Sequence, residues 1–257
     1  MDIHARAEAA QRIAREVGGM LQQHGQLRIR AKAENDFVTE MDVKSERMIR
    51  EALLAQFPED EFFGEESGGA SVSRGRWIVD PIDGTQSFMR GHHGWCISIA
   101  YEHDGRLLLG CVYMPDNDEL FLAVRGEGAT LNGEPIHVSD ILDPRMALAH
   151  FGYGHRVVED RRRTMALLPD LFDHISDIRR FGSAAYAMCC VACGRSEIFF
   201  ELGLHIYDIA AGIVIVEEAG GKVTGWPGEA NCEITGNTLA TNGALHAFME
   251  KQLGIEK

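Results

Sequence analysis

The hydrophobic period of this 257-residue chain changes at residue 77, and that change constrains the fold more than any other feature. Before it, apolar residues recur mostly every three or four positions. Ile3, Ala7, Ala10, Ile13, Val17, Met20 and Leu21 predict a helix over 3–24. An extended segment, 31–42, leads into a second helix, which Thr39 and Asp42 open as a capping box and Phe57-Pro58 closes. From 77 onward the apolar runs shorten. Segments 77–80, 95–102, 106–115 and 119–126 read as strands, with hairpin loops at 103–106 and 115–118 and a further tight turn in 129–134. The second half alternates: a strand over 146–154, a charged helix near 156–170, a strand within 174–182, a small-residue helix over 183–194, a strand at 196–202 and a helix over 206–221. Helices alternating with strands in both halves predict a layered α/β architecture. A boundary near 140 divides residues 1–140, two helices on a sheet, from an α/β half over 141–257, with an active-site crevice shared between them.

Charge narrows the partners. Lys plus Arg number 25 against 39 Asp plus Glu, a net charge of −14 with no basic tract, which argues against nucleic acid and against an anionic membrane surface. No apolar run approaches the roughly 18 residues of a membrane span. The opening MDIHARAEAAQRIAREV lacks the apolar core of a secretory signal. The six cysteines include three in one apolar helical stretch, and Cys190 and Cys193 sit within an Ala/Met/Val run. They read as buried thiols of a cytoplasmic protein rather than as a zinc or redox set.

The acidic residues carry the chemistry. The strand Trp77-Ile78-Val79 runs into Asp80-Pro81-Ile82-Asp83-Gly84-Thr85, where a sharp turn directs both carboxylates toward one point. Converging carboxylates repel unless a proton or cation intervenes, and oxygen-only ligands favour Mg²⁺ or Mn²⁺. Gly84 allows close backbone approach, its N–H and its neighbours' can hold a phosphate, and Thr85 offers a hydroxyl to orient water. Read alone, the segment is equally a structural turn. Gly64-Glu65-Glu66-Ser67 is a second acidic element, with Glu65 assigned to metal and Glu66 peripheral; its plain alternative is a solvated loop. Asp208 opens an apolar helix, as a ligand or simply as a cap. Glu201 ends a strand that enters the same crevice, and Asp42 is either a site residue or only the acid of its capping box.

Taken together these blocks resemble the inositol monophosphatase family, the magnesium-dependent, lithium-sensitive phosphatases related in fold to fructose-1,6-bisphosphatase. The resemblance spans nearly the whole chain and rests on Asp36–Asp42, Gly64–Ser67, Trp77–Thr85, Arg179–Ala185, Tyr207–Gly212 and Glu218–Gly221. It implies a five-layer αβαβα fold. It also implies metal ligation by Glu65, Asp80, the carbonyl of Ile82, Asp83 and Asp208, with two to three Mg²⁺ ions for which Mn²⁺ can substitute. Asp42 is then expected to hold water on a weaker metal, and Glu65 with Thr85 to orient the attacking water. Gly84 and Thr85 amides grip the phosphate, Asp83 and Asp208 border it, and Ser183, Ala184 and Glu201 contact the hydroxylated part of the substrate. The expected partners are a small phosphorylated metabolite and a second copy of the chain in a homodimer.

Departures from the family pattern surround the leaving-group side. Tyr207 stands where Trp is usual and preserves an aromatic wall. Lys32 is one residue out of register with a lysine often found in relatives, Gln86-Ser87 replaces a common Thr-Asn, and Phe151–Arg156 is individual. The expected reaction is hydrolysis of a phosphate monoester by metal-activated water. Myo-inositol monophosphate leads, with histidinol phosphate or a broad range of sugar phosphates as alternatives. A 3′-phosphoadenosine 5′-phosphate activity is disfavoured by the lack of an adenine-stacking motif, and fructose-1,6-bisphosphate would need extra basic contacts. A regulatory or binding protein on the same scaffold is the reading from another class.

Overall fold

Asp2 accepts a hydrogen bond from Ala5 N at 3.0 Å and so starts α1 (Ile3–Gln22). The computed structural model describes residues 1–23, 29–33, 36–69, 74–154, 157–226 and 231–254; of 29–33 and 36–38 it describes the backbone only. Lys32, His155 and Arg156 therefore fall outside the described side chains. After α1 an antiparallel pair, β1 (Ile29–Ala33) and β2 (Asp36–Thr39), leads into α2 (Glu40–Gln56). The expected capping box is present: Met41 N donates to Thr39 Oγ at 3.0 Å and Thr39 N to Asp42 Oδ2 at 2.8 Å.

Next come β3 (Glu61–Gly64), β4 (Gly75–Asp83), the short α3 (Thr85–Met89), β5 (Cys96–His103), β6 (Arg106–Met114), β7 (Glu119–Val124), β8 (Gly128–Leu131) and β9 (Glu134–Ile136). Among the described residues these strands form a seven-stranded sheet in sequence order, with β3 parallel to β4 and the others antiparallel. The remaining elements are β10 (Leu148–Phe151), α4 (Val158–Phe172), β11 (Asp177–Arg179), α5 (Ala184–Ala192), β12 (Ile198–Glu201), α6 (Ile206–Glu218), β13 (Lys222–Gly225), α7 (Cys232–Thr235), β14 (Thr238–Thr241) and α8 (His246–Gln252). Their strands make a five-stranded sheet ordered β11-β10-β12-β14-β13.

Strand periodicity stacks these elements into layers. Along β4 and β5, Trp77, Val79, Ile97, Ile99 and Tyr101 face α1 and α2, while Ile78, Cys96 and Ala100 face α5 and α6. Both faces of the sheet are buried. Helices α5 and α6 also pack on the second sheet, whose far side, with Ile198, Phe200 and Leu239, meets Leu168 and Leu171 of α4 and Met249 of α8. The order is helix, sheet, helix, sheet, helix: a five-layer αβαβα fold. All nine residues of α5 are buried, and Ala and Cys there are narrow enough to fit between two sheets. At Gly110 of β6 a Cβ would lie 2.3 Å from the Ala211 carbonyl of α6, so glycine lets the middle layer sit close.

Several boundaries differ from the sequence expectation. The strand expected over 77–80 runs from 75 to 83, and the one within 174–182 shrinks to 177–179. Strands β3, β13 and β14 and helix α8 were not anticipated; each strand has only four residues, too few for periodicity to declare itself. The cysteines are free, and all but the half-buried Cys193 are buried. No helix among the described residues is long and apolar enough to cross a membrane.

Candidate active site

The site begins with an irregularity in β4. Asp80 pairs with Ser98 and Asp83 with Cys96, so three steps on β4 match two on β5. Such a bulge re-aims side chains at a strand end. A bulged strand thus does what a free turn was expected to do. Asp80 Oδ1 accepts from Ile82 N at 2.9 Å, and Asp83 Oδ2 accepts from Ser183 Oγ and Ala185 N, both at 2.7 Å. Asp208 comes from the first turn of α6, where its Oδ2 accepts from His205 N at 2.6 Å. Cap and site residue are therefore one and the same: one oxygen serves the helix.

Asp80, Asp83 and Asp208 converge, each offering a carboxylate oxygen within 4.8 Å of the others, and all three are buried. Burial pushes the Asp80 carboxyl well above its usual range, reinforced by Glu65, Asp83 and Asp208. Asp83 is raised to about 7, first by burial and then by Asp208, against the pull of Ser183 and the Ala185 amide. Such a set is stable as three anions only with a cation among them, and its all-oxygen donors suit Mg²⁺ or Mn²⁺. Glu65 lies outside the triad but lines the same pocket, and its N–H donates to Val79 O at 3.1 Å, tying it to β4. Ile82 lines the pocket too, and its carbonyl lies 3.1 Å from Thr85 Oγ.

The pocket above this floor has a volume of about 450 Å³. Gly84, Thr85, Ala184 and Glu201 line it. Gly84 has φ +96°, and a Cβ there would lie 3.0 Å from the Gly94 carbonyl and 3.2 Å from Trp95 Cα, so glycine is required by both strain and space. Glu201 is pushed up to about 8 by burial and then by Asp208, with Arg180 opposing.

Three expected positions behave differently. Ser183 is buried, and its hydroxyl bonds Asp83 and caps Tyr186 N at 3.2 Å; it supports the floor rather than lining the pocket. Asp42 is also buried: Oδ2 is committed to Thr39, and only Oδ1, 3.2 Å from Thr85 Oγ, points toward the site. Tyr207 packs near Phe63 and His205, at ring separations of 6.4 and 5.1 Å, and is not among the pocket-lining residues; the phenol ring that lines it belongs to Tyr153.

Residues missed in the sequence matter as well. Glu46 of α2 is buried beneath the acidic loop and accepts from Glu66 N at 2.7 Å and Ser67 N at 2.9 Å, fixing the segment that carries Glu65. Its one sequence signal is its spacing of four from Asp42 on the buried face of α2. Arg90, His92, Arg161 and Arg180 also line the pocket; of these only Arg180 lies in a block the sequence singles out, Arg179–Ala185, and no role was assigned to it there.

The inositol monophosphatase family model matches residues 2–255 of the chain. Nus factor SuhB of Pasteurella multocida is 36% identical over 242 residues, which cover 92% of this chain and 88% of that protein. The extragenic suppressor protein suhB of Bartonella henselae superposes with a TM-score of 0.91 at 35% identity, covering 96% of this chain and 97% of the other. The IMPase of Thermotoga maritima gives 0.90 at 32% identity, covering 97% of each chain. With the aspartate cluster assembled on that shared fold, the chain belongs to the inositol monophosphatase family and is a hydrolase of phosphate monoesters.

Proposed function

We propose that the chain hydrolyses the phosphate monoester of a small polyol, with myo-inositol monophosphate as the reference substrate, at a centre built from Asp80, Asp83 and Asp208 and completed by Glu65 and the Ile82 carbonyl. The observation that carries this reading is the buried convergence of the three aspartates. Bound there, two to three Mg²⁺ ions would supply positive charge to attract the phosphate, acidify water and stabilise the departing oxygen. The chain's own residues do the rest. Glu65 and the Thr85 hydroxyl orient the attacking water, with Asp42 holding Thr85 from behind. Gly84 and Thr85 amides hold phosphate oxygens, and Ala184 and Glu201 border the polyol. The water oxygen bonds phosphorus as the ester P–O bond breaks, and the leaving alcohol takes up a proton.

Residues 1–140 supply most of this centre, and 141–257 supply Asp208 and the substrate contacts. The family resemblance further supports lithium sensitivity, a homodimer and a cytoplasmic location. Arginines along the pocket disfavour the cationic amine of histidinol phosphate relative to a neutral polyol. A second reading, a binding role independent of turnover, has in its favour that the Pasteurella relative carries the name of a Nus factor. The test is phosphate release from myo-inositol 1-phosphate and histidinol phosphate in Mg²⁺, with EDTA and Li⁺ controls. Release that needs Mg²⁺ and prefers the inositol ester is expected. Preference for histidinol phosphate overturns the substrate, and no release from any ester overturns the catalytic reading.

A further inference from the structure

Most arginines of this acidic chain are paired. Arg6, Arg12, Arg15, Arg76, Arg125, Arg145, Arg179 and Arg195 each reach a carboxylate within 4.0 Å. Among the described residues Arg47, Arg50, Arg90, Arg106, Arg161 and Arg180 make no ion pair, and of these Arg90, Arg161 and Arg180 line the pocket that holds the aspartate cluster. They arrive from separate elements, the loop after α3, the first turns of α4 and the segment between β11 and α5. Arg180 is also held in place, its guanidinium 4.3 Å from the centre of the Tyr153 ring. The pocket thus brings three arginines together with the aspartate cluster and Glu201.

With a neutral polyol as leaving group, the three guanidinium groups meet no anion beyond the reacting phosphate and, at Arg180, the Glu201 carboxyl. Hydroxyls are served by Glu201 and backbone groups, whereas planar guanidinium forks match carboxylate and phosphate oxygens. We infer that Arg90, Arg161 and Arg180 form a second-anion subsite, so that the preferred phosphomonoesters carry a further anionic group, carboxylate or phosphate, on the leaving alcohol. This rests on the hydrolase reading above and refines its substrate class. The bond broken and formed at phosphorus is unchanged; the second anion is bound, not transferred. The rival role for the arginines is steering, in which they offset the net charge of −14 and speed every phosphate alike.

Matched esters separate the two roles. With Mg²⁺ fixed, kcat/KM is compared for 2-phosphoglycerate against glycerol 2-phosphate, and for fructose 1,6-bisphosphate against fructose 1-phosphate; the first pair adds a carboxylate and the second a phosphate. The expected result is a ratio of about tenfold or more in favour of the anionic member of at least one pair, carried mainly by KM. Arg90→Gln, Arg161→Gln and Arg180→Gln each lower that ratio by about tenfold, and the pair affected tells which anion the subsite takes. A wild-type ratio near one in both pairs overturns the subsite. So does an equal fall for both members of a pair in the variants, which assigns the arginines to steering. If no ester is hydrolysed, the hydrolase reading fails and the subsite falls with it.

Discussion

Replacing Asp83 by Asn should make the metal-free protein more heat-stable while abolishing its response to magnesium. In the folded chain burial and Asp208 raise the Asp83 carboxyl from 3.8 to about 7. A carboxyl raised in this way contributes full stability below about pH 4, where both folded and unfolded forms are protonated. That contribution is lost as pH climbs through 7, because the unfolded chain ionises first. By pH 8 the loss for Asp83 is about 4 kcal/mol. Asn cannot ionise, yet its carbonyl still accepts from Ser183 Oγ and Ala185 N, now 2.7 Å from Oδ2. Asn resembles the protonated carboxyl, and the value of about 7 already contains the stronger bonds Ser183 and Ala185 give the anion, so the net gain stays at about 4 kcal/mol. For a chain of this length that gain is about 8–16 °C in Tm. The wild type should instead gain about 3 kcal/mol when Mg²⁺ reaches a hundredfold excess over its Kd. Differential scanning calorimetry in EDTA and in Mg²⁺, at pH 5 and pH 8, reads all four conditions. The reasoning is refuted if Asp83→Asn melts below wild type in EDTA at pH 8, or if Mg²⁺ raises both Tm values equally.

Other perturbations probe the support around the site. Glu46→Gln weakens the hold on Glu66 N and Ser67 N, so the Mg²⁺ concentration for half-maximal turnover should rise by about three- to tenfold; an unchanged titration removes Glu46 from the positioning of Glu65. Gly84→Ala, at φ +96° and facing the Gly94 carbonyl, should cost about 1–3 kcal/mol in urea unfolding and at least about tenfold in kcat, and wild-type values for both would contradict the close packing described. His246 is buried, with both ring nitrogens 2.9 Å from threonine hydroxyls, and its pKa is lowered to about 4, first by burial and then by Lys222. Its contribution is intact above about pH 6.5 and lost as pH falls through 4. His246→Gln should therefore lose less stability than wild type over that interval, and equal slopes in urea midpoints would sink the assignment.

Local chemistry made part of this molecule legible. The capping box at Thr39 and Asp42 is a four-residue pattern, and the strand running into Asp80 and Asp83 is written in consecutive residues. Both are settled within one element. The ambiguity at Asp208, ligand or cap, could not be resolved from sequence because the answer lies in the packing of α6 on β4–β8, which brings a capping carboxylate beside the aspartates of β4. The placement of Ser183 is beyond the sequence for a related reason. Its position in the chain is that of a pocket residue, but the Asp83 carboxylate claims its hydroxyl across 100 residues. The bulge between Asp80 and Asp83 is a matter of register with β5, invisible without the partner strand. Arg90, Arg161 and Arg180 show the limit most clearly. Arg180 lies in the Arg179–Ala185 block and Arg90 five residues beyond Thr85, yet only the folding of three separate segments around one pocket makes these arginines neighbours.

The central claim is that Asp80, Asp83 and Asp208 are the metal centre on which hydrolysis depends, and diffraction from crystals grown with Mn²⁺ tests it most directly. Anomalous peaks at about 2.0–2.3 Å from oxygens of all three aspartates are predicted, and Asp208→Asn should lose at least one of them together with phosphate release. Peaks confined to surface carboxylates, in a protein that still releases phosphate and needs Mg²⁺ to do so, would contradict the account.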